Sequence, residues 1–139
     1  MFLVAFVALL AITTGIVLAV GAGSPTVGRQ QAIATALHSR GVTESERLSR
    51  RVEAKLIHRF DFQRVEGSMA GPGNPFDRIW VVAVSGDFGV PSTMLPTKIA
   101  WGIAVVPDRL PAAVEAYVDG SDGNWPTFWD NLPDLAGGK

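Results

Sequence analysis

The sequence has no cysteine, one tyrosine, two histidines and only 18% charged residues. Without cysteine there is no disulfide framework, no thiolate metal site and no thiol nucleophile. Neither sign of charge dominates, with 12 Lys+Arg against 13 Asp+Glu. A nucleic-acid binder ordinarily carries a strong basic surplus, so no nucleic-acid partner is expected. A Walker A loop, a dinucleotide fingerprint and a Gly-x-Ser-x-Gly elbow are all missing. The 139 residues leave room for one domain. One absence is local: residues 1–28 contain no Lys, Arg, Asp, Glu or His.

That stretch holds a long apolar run instead. Phe2 to Val20 reads FLVAFVALLAITTGIVLAV, broken only by Thr13, Thr14 and Gly15. About 20 apolar residues at a 1.5 Å rise match a ~30 Å hydrocarbon core. Both threonines can bond their hydroxyls to helix carbonyls, so lipid tolerates them. A buried core helix would need burial all round, which so small a domain hardly provides. Residues 1–23 are therefore expected to be a membrane anchor or signal segment, and 24–139 a single domain. Val20-Gly21-Ala22 resembles a secretory cleavage site, which leaves secretion after cleavage near Ala22 as the alternative. Retention is favoured, because the run is long for a signal and no Lys or Arg precedes it. The positive-inside rule, read on Arg29 and Arg40 alone, points to the cytoplasm. Two arginines are few, and the rule weakens for long translocated domains, so the domain is expected outside.

Ser24-Pro25 looks like a helix start. Val27, Gln31, Ala34 and Leu37, with Ile33 beside them, form a helical stripe, and Gly41 stops it. A helix is expected over roughly 26–39, with His38 near its negative dipole end. Residues 43–65 admit two readings. Thr43-Glu44-Ser45-Glu46 fits a capping box, and Leu48, Val52, Leu56 and Phe60 recur at every fourth residue. Against a helix, apolar residues from Leu48 to Phe62 alternate with Arg47, Arg51, Glu53, Lys55, Arg59 and Asp61. A strand over about 48–60 with one wet face is expected, entered by a helical turn.

Gly67 to Pro75 reads as a loop, and Arg78 to Val84 as a central strand. Lys98 to Val106 places Ile99, Trp101, Ile103 and Val105 on one face, with Ala100, Gly102 and Ala104 on the other. The small face suits a helix packed closely against it. Ala113 to Val118 reads as the fourth strand. Trp125, Phe128, Trp129 and Leu132 line one face of a short C-terminal helix. The fold class is α+β: one helix on a four-stranded antiparallel sheet, then a short aromatic helix.

A family resemblance rests on this pattern. A membrane-proximal helix with spaced alanines (Ala32, Ala34, Ala36) leads into a basic alternating strand. Ile79-Trp80-Val81-Val82-Ala83-Val84-Ser85-Gly86 follows, and a later strand ends Val105-Val106-Pro107-Asp108. Over residues 28–120 this is similar to PepSY-like and cystatin-like small extracytoplasmic bacterial domains, whose strands read WVV-x-V-x-G. The chain departs from them at Arg109-Leu110-Pro111, where no Gly follows Asp108. The resemblance implies a fold, a compartment and a role in binding or regulating peptides, peptidases or signalling partners. It implies no catalytic residue, and fold alone does not fix function.

Four sets of residues are candidate sites. His58 and Asp61 could act as a general base pair, or simply be a strand histidine beside its neighbour. Asp119, Ser121, Asp122 and Asn124 offer oxygen ligands, but no Glu closes the site and the spacing is not that of an EF-hand. No metal or cofactor is expected. Arg47, Arg51, Lys55 and Arg59 would share the wet face as a lipid-headgroup patch, although Glu46, Glu53 and Asp61 offset the basic residues there. Trp80 completes the core. Trp101, Trp125, Phe128 and Trp129 either pack in the core or form a ligand or partner surface between sheet and tail. The expected function is a non-catalytic binding or regulatory module with a peptide or protein partner. A structural accessory subunit of a membrane complex and a small hydrolase are the alternatives.

Overall fold

An unbroken apolar run such as Ile79–Val84 needs cover on both faces. The computed structural model, which describes residues 24–67, 73–86 and 99–137, gives it that cover. In chain order the elements are helix α1 (Arg29–Ser39), helix α2 (Glu44–Arg47), strand β1 (Val52–His58), helix α3 (Arg59–Glu66), and strands β2 (Arg78–Ser85), β3 (Trp101–Pro107) and β4 (Ala116–Gly120). A 3-10 turn, Trp129–Asn131, comes last. The sheet runs β1-β2-β3-β4 with every pair antiparallel. The register sets Val52 against Val84, Trp80 against Val106 and Ile103 against Val118. This is the α+β meander that the sequence pattern predicts.

Two cores follow from the period-two alternation of the strands. Leu56, Trp80, Val82, Ala104 and Val106 meet Ala32, Ile33, Ala36 and Leu37 of α1. Ile57, Ile79, Val81, Ile103 and Val105 meet Phe62 of α3 and Trp129 and Leu132 of the C-terminal turn. Ala104 supplies the expected close approach of helix to sheet. At Gly102 the small position instead admits Arg40, whose guanidinium would lie 2.8 Å from an added Cβ. Gly41, at φ +68°, follows the C-cap Arg40 as a left-handed stop.

Several boundaries differ from expectation. Helix α1 begins at Arg29 with Gly28 as N-cap, three residues beyond the expected start at 26. Upstream, the Val27 N–H donates to Asp108 Oδ1 at 2.8 Å, and the Val27 carbonyl accepts from Trp80 Nε1 at 2.8 Å. Those two bonds hold the chain out of helical conformation. The buried stripe is Ala32, Ile33, Ala36 and Leu37, while Gln31 and Ala34 are exposed. Both readings of residues 43–65 are partly right. The capping box forms, with the Thr43 N–H on Glu46 Oε2 at 2.7 Å and the Glu46 N–H on Thr43 Oγ1 at 3.3 Å. The strand then runs from Val52 only to His58, and Leu48 is exposed.

Helix α3 corrects the strand reading at 59–60. The N–H groups of Arg59 and Phe60 donate to the carbonyls of Asp77 and Pro75, at 2.9 Å each, and turn the chain. Gly67, at φ +83°, stops the helix. The face expected to be wet is covered as well. Lys55 Nζ donates to the carbonyls of Trp129 and Leu132 at 2.8 and 3.0 Å, and Trp129 Nε1 donates to Glu53 Oε2 at 2.6 Å. Strand β4 starts at Ala116, three residues later than expected, and takes in Asp119 and Gly120. The C-terminal helix shrinks to one 3-10 turn, because Pro133 disfavours helical geometry at Leu132. Among the described residues no helix is long and apolar enough to cross a membrane. The expected anchor, Phe2 to Val20, lies outside the described residues.

Candidate functional site

The residue pair that organises the site is Arg51 and Ser85, where β1 begins and β2 ends. The Arg51 N–H donates to Ser85 Oγ at 2.8 Å, and the Ser85 N–H donates back to the Arg51 carbonyl at 2.9 Å. This fixes the backbone and frees the Arg51 side chain to turn across the sheet. Its guanidinium lies 4.0 Å above the Trp125 ring, a cation–π contact. Glu53 holds it there, accepting from Arg51 Nε at 2.7 Å through Oε1 and from Trp129 Nε1 through Oε2. Trp125 in turn meets Trp129 edge to face, with centroids 5.7 Å apart.

In front of this pair opens a cleft of about 500 Å³. Its lining consists of Arg51, Ser85, Gly86 and Ala100 together with Gly123, Asn124 and Trp125. Arg50 braces the rim by donating from Nη1 to the Ser85 carbonyl at 3.0 Å. Gly86 sits at φ +104°, a conformation that favours glycine, and the Arg50 guanidinium fills the space a Cβ would take. The Trp125 indole N–H is buried and has no acceptor among the described residues. The cleft thus offers a planar cation, an aromatic face, an amide and accessible backbone. Among the described residues, Ser85 Oγ accepts from the Arg51 N–H.

The four aromatic candidates come together, though in different roles. Trp129 is 1% exposed and belongs to the core. Phe128 bridges Trp101 and Phe62, with centroids at 6.0 and 6.1 Å. Trp101 lies over Gly120 and donates from Nε1 to the Asp122 carbonyl at 3.0 Å. Only Trp125 reaches the cleft. The four basic candidates are scattered, which corrects the expectation of one shared face. Arg47 is on α2, Arg51 is at the cleft, and Lys55 lies under the tail. Arg59 is 1% exposed and bonded to Glu115 at 2.9 Å.

His58 Nδ1 lies 3.9 Å from Asp61 Oδ2, beyond hydrogen-bond range. Arg64 occupies Asp61 Oδ1 at 3.0 Å, and the His58 ring stacks on Phe60 with centroids 5.6 Å apart. Asp119 is bound to Arg40 at 2.6 Å, and no cluster of three or more His, Asp or Glu suited to a metal occurs among the described residues. Sequence reasoning missed Ser85, Gly86 and Asn124 as cleft residues. The Ser85-Gly86 signal was present but reads equally well as a strand end. No family model matches the chain, and neither the curated proteins nor the solved structures hold a match to it.

Proposed function

We propose that the chain is a membrane-anchored, extracytoplasmic, non-catalytic module that binds a peptide or protein partner, as the PepSY-like and cystatin-like domains it resembles do. The observation that carries this reading is the polarity of β2. At Arg78 the strand bonds the Ser24 carbonyl, where the chain arrives from the apolar run. At Ser85 it lines the cleft. Seven steps of roughly 3.3 Å separate the two, about 23 Å end to end. A tethered domain built this way presents its cleft away from the tether. The wide His58–Asp61 spacing and the bonded Ser85 support a non-catalytic role over hydrolysis.

The test is site-specific photocrosslinking in intact cells. A benzoylphenylalanine at Asn124 is expected to yield a discrete adduct that Trp125→Ala abolishes, while the same probe at Leu48 yields none. Identical adducts at both positions, or none at Asn124, would overturn the reading.

A further inference from the structure

From the pole opposite the cleft we infer a bilayer-contact face, in which Phe76 and Leu110 enter the lipid headgroup region and Arg109 meets lipid phosphate. The inference rests on the anchored reading above. Only Gly21, Ala22 and Gly23 separate the apolar run from Ser24. Four Cα steps span no more than about 14 Å, and a headgroup layer takes up about 5–8 Å of that. Whatever surrounds Ser24 must therefore sit against the membrane.

What surrounds it is defined by bonds. Arg78 Nη2 donates to the Ser24 carbonyl at 3.2 Å, and Asp108 accepts from the Val27 N–H at 2.8 Å. Arg78 and Asp108 are themselves paired at 2.7 Å. Phe76 stands two residues before Arg78, and Leu110 two residues after Asp108. Both are large hydrophobic side chains left in the open, 74% and 61% exposed. Phe76 does not hang loose, because its ring meets Phe60 edge to face at 5.8 Å and Phe60 stacks on His58. In water this aromatic stack is an exposed apolar patch. At a bilayer interface it has the composition that such depth favours.

The polar groups at the same pole agree. Arg59, Arg78 and Arg109, with Asp77 and Asp108, line a hollow of about 170 Å³. Glu115 and Asp108 answer the first two arginines. Arg109 is exposed and makes no ion pair among the described residues. It can extend from this rim to a phosphate while its stem lies along apolar surface. Of the basic residues that suggested a headgroup patch in the sequence, only Arg59 lies at this pole, where it is buried against Glu115; Arg51 is at the far end of β1.

The absence of cysteine makes the test simple, since Phe76→Cys, Leu110→Cys and Leu48→Cys each give one unique attachment point for a nitrobenzoxadiazole label. The full chain is reconstituted in vesicles of phosphatidylcholine and phosphatidylglycerol that carry nitroxide-labelled lipid. Labels at 76 and 110 are expected to shift to the blue and to be quenched about threefold more than a label at 48. Arg109→Gln is expected to reduce the quenching at 110. Co-flotation with the vesicles is scored on the same samples. A chain that floats while all three labels stay equally solvent-exposed overturns the contact face and leaves the anchor standing. A chain that does not float overturns both.

Discussion

At Gly120 the packing depends on a single missing carbon. The strand register sets Gly120 opposite Trp101, and a Cβ there would overlap three indole carbons. The ring can take this position only because that carbon is absent, and it is then held by Phe128 and by the Asp122 carbonyl. Gly120→Ala is therefore expected to cost about 1–3 kcal/mol through overpacking. The cost should largely vanish in a Trp101→Ala background, and denaturant unfolding of the four proteins closes the cycle. Equal costs in both backgrounds would contradict the contact. Glu46 offers a second residue-scale test. The Thr43 N–H, and then its hydroxyl, hold the Glu46 carboxyl below its ordinary value. A carboxylate lowered on folding contributes stability that is present above its unfolded value and lost as pH falls through the lowered one. Loss of the capping box is thus expected only below the normal glutamate range. The Thr43 amide shift should follow that low-pH titration, and in Glu46→Gln the step should be gone.

An edge strand left open is a liability, and β1 is closed by the chain's own C-terminal segment. The Leu56 N–H donates to Asp134 Oδ1 at 3.1 Å, and the Leu135 N–H donates to the Leu56 carbonyl at 2.7 Å. Arg29 ties the closure to α1 by pairing with Asp134 at 2.8 Å and donating to the Ala54 carbonyl. Asp134→Ala leaves the Leu56 amide without its acceptor and takes from Arg29 its carboxylate partner, and about 1–3 kcal/mol of stability should be lost. Hydrogen exchange at Leu56 should accelerate more than at Val82, in the centre of the sheet. No change at Leu56 would mean that the segment does not cap the edge. At this scale, legibility followed the range of the interactions involved. Strand β2, α1 and the aromatic face of the tail were readable, because each is set by a local period and by burial. Helix α3 was not, since its start depends on carbonyls of Pro75 and Asp77, far along the chain from Arg59. Nor was the covering of Glu53 and Lys55, whose partner, Trp129, is more than seventy residues away. The cleft was half readable. Trp125 stood out as an aromatic, while Ser85, Gly86 and Asn124 became visible only when two strand ends and the tail converged.

For the whole molecule, the functional reading depends on direction. One pole carries Ser24, Phe76, Leu110 and Arg109, and the other carries the Arg51–Trp125 cleft. If the chain is anchored as proposed, burying the first pole in the bilayer interface leaves the second facing the aqueous phase, on either side of the membrane. The side decides which partners the cleft can meet. Arg29 and Arg40 follow the apolar run and taken alone favour the cytoplasm, but Arg40 is bonded to Asp119 and Arg29 to Asp134. Two arginines are few, and the rule weakens for long translocated domains, so they do not decide the side. The proposed extracytoplasmic placement yields a direct expectation. With a tag placed after Lys139, protease added to intact cells should remove the tag while a cytoplasmic marker survives, and lysis should add no further loss. A tag cut only after lysis would place the domain inside. The cleft would then be open to cytoplasmic peptides, and the crosslinking experiment at Asn124 would have to be read against that set of partners.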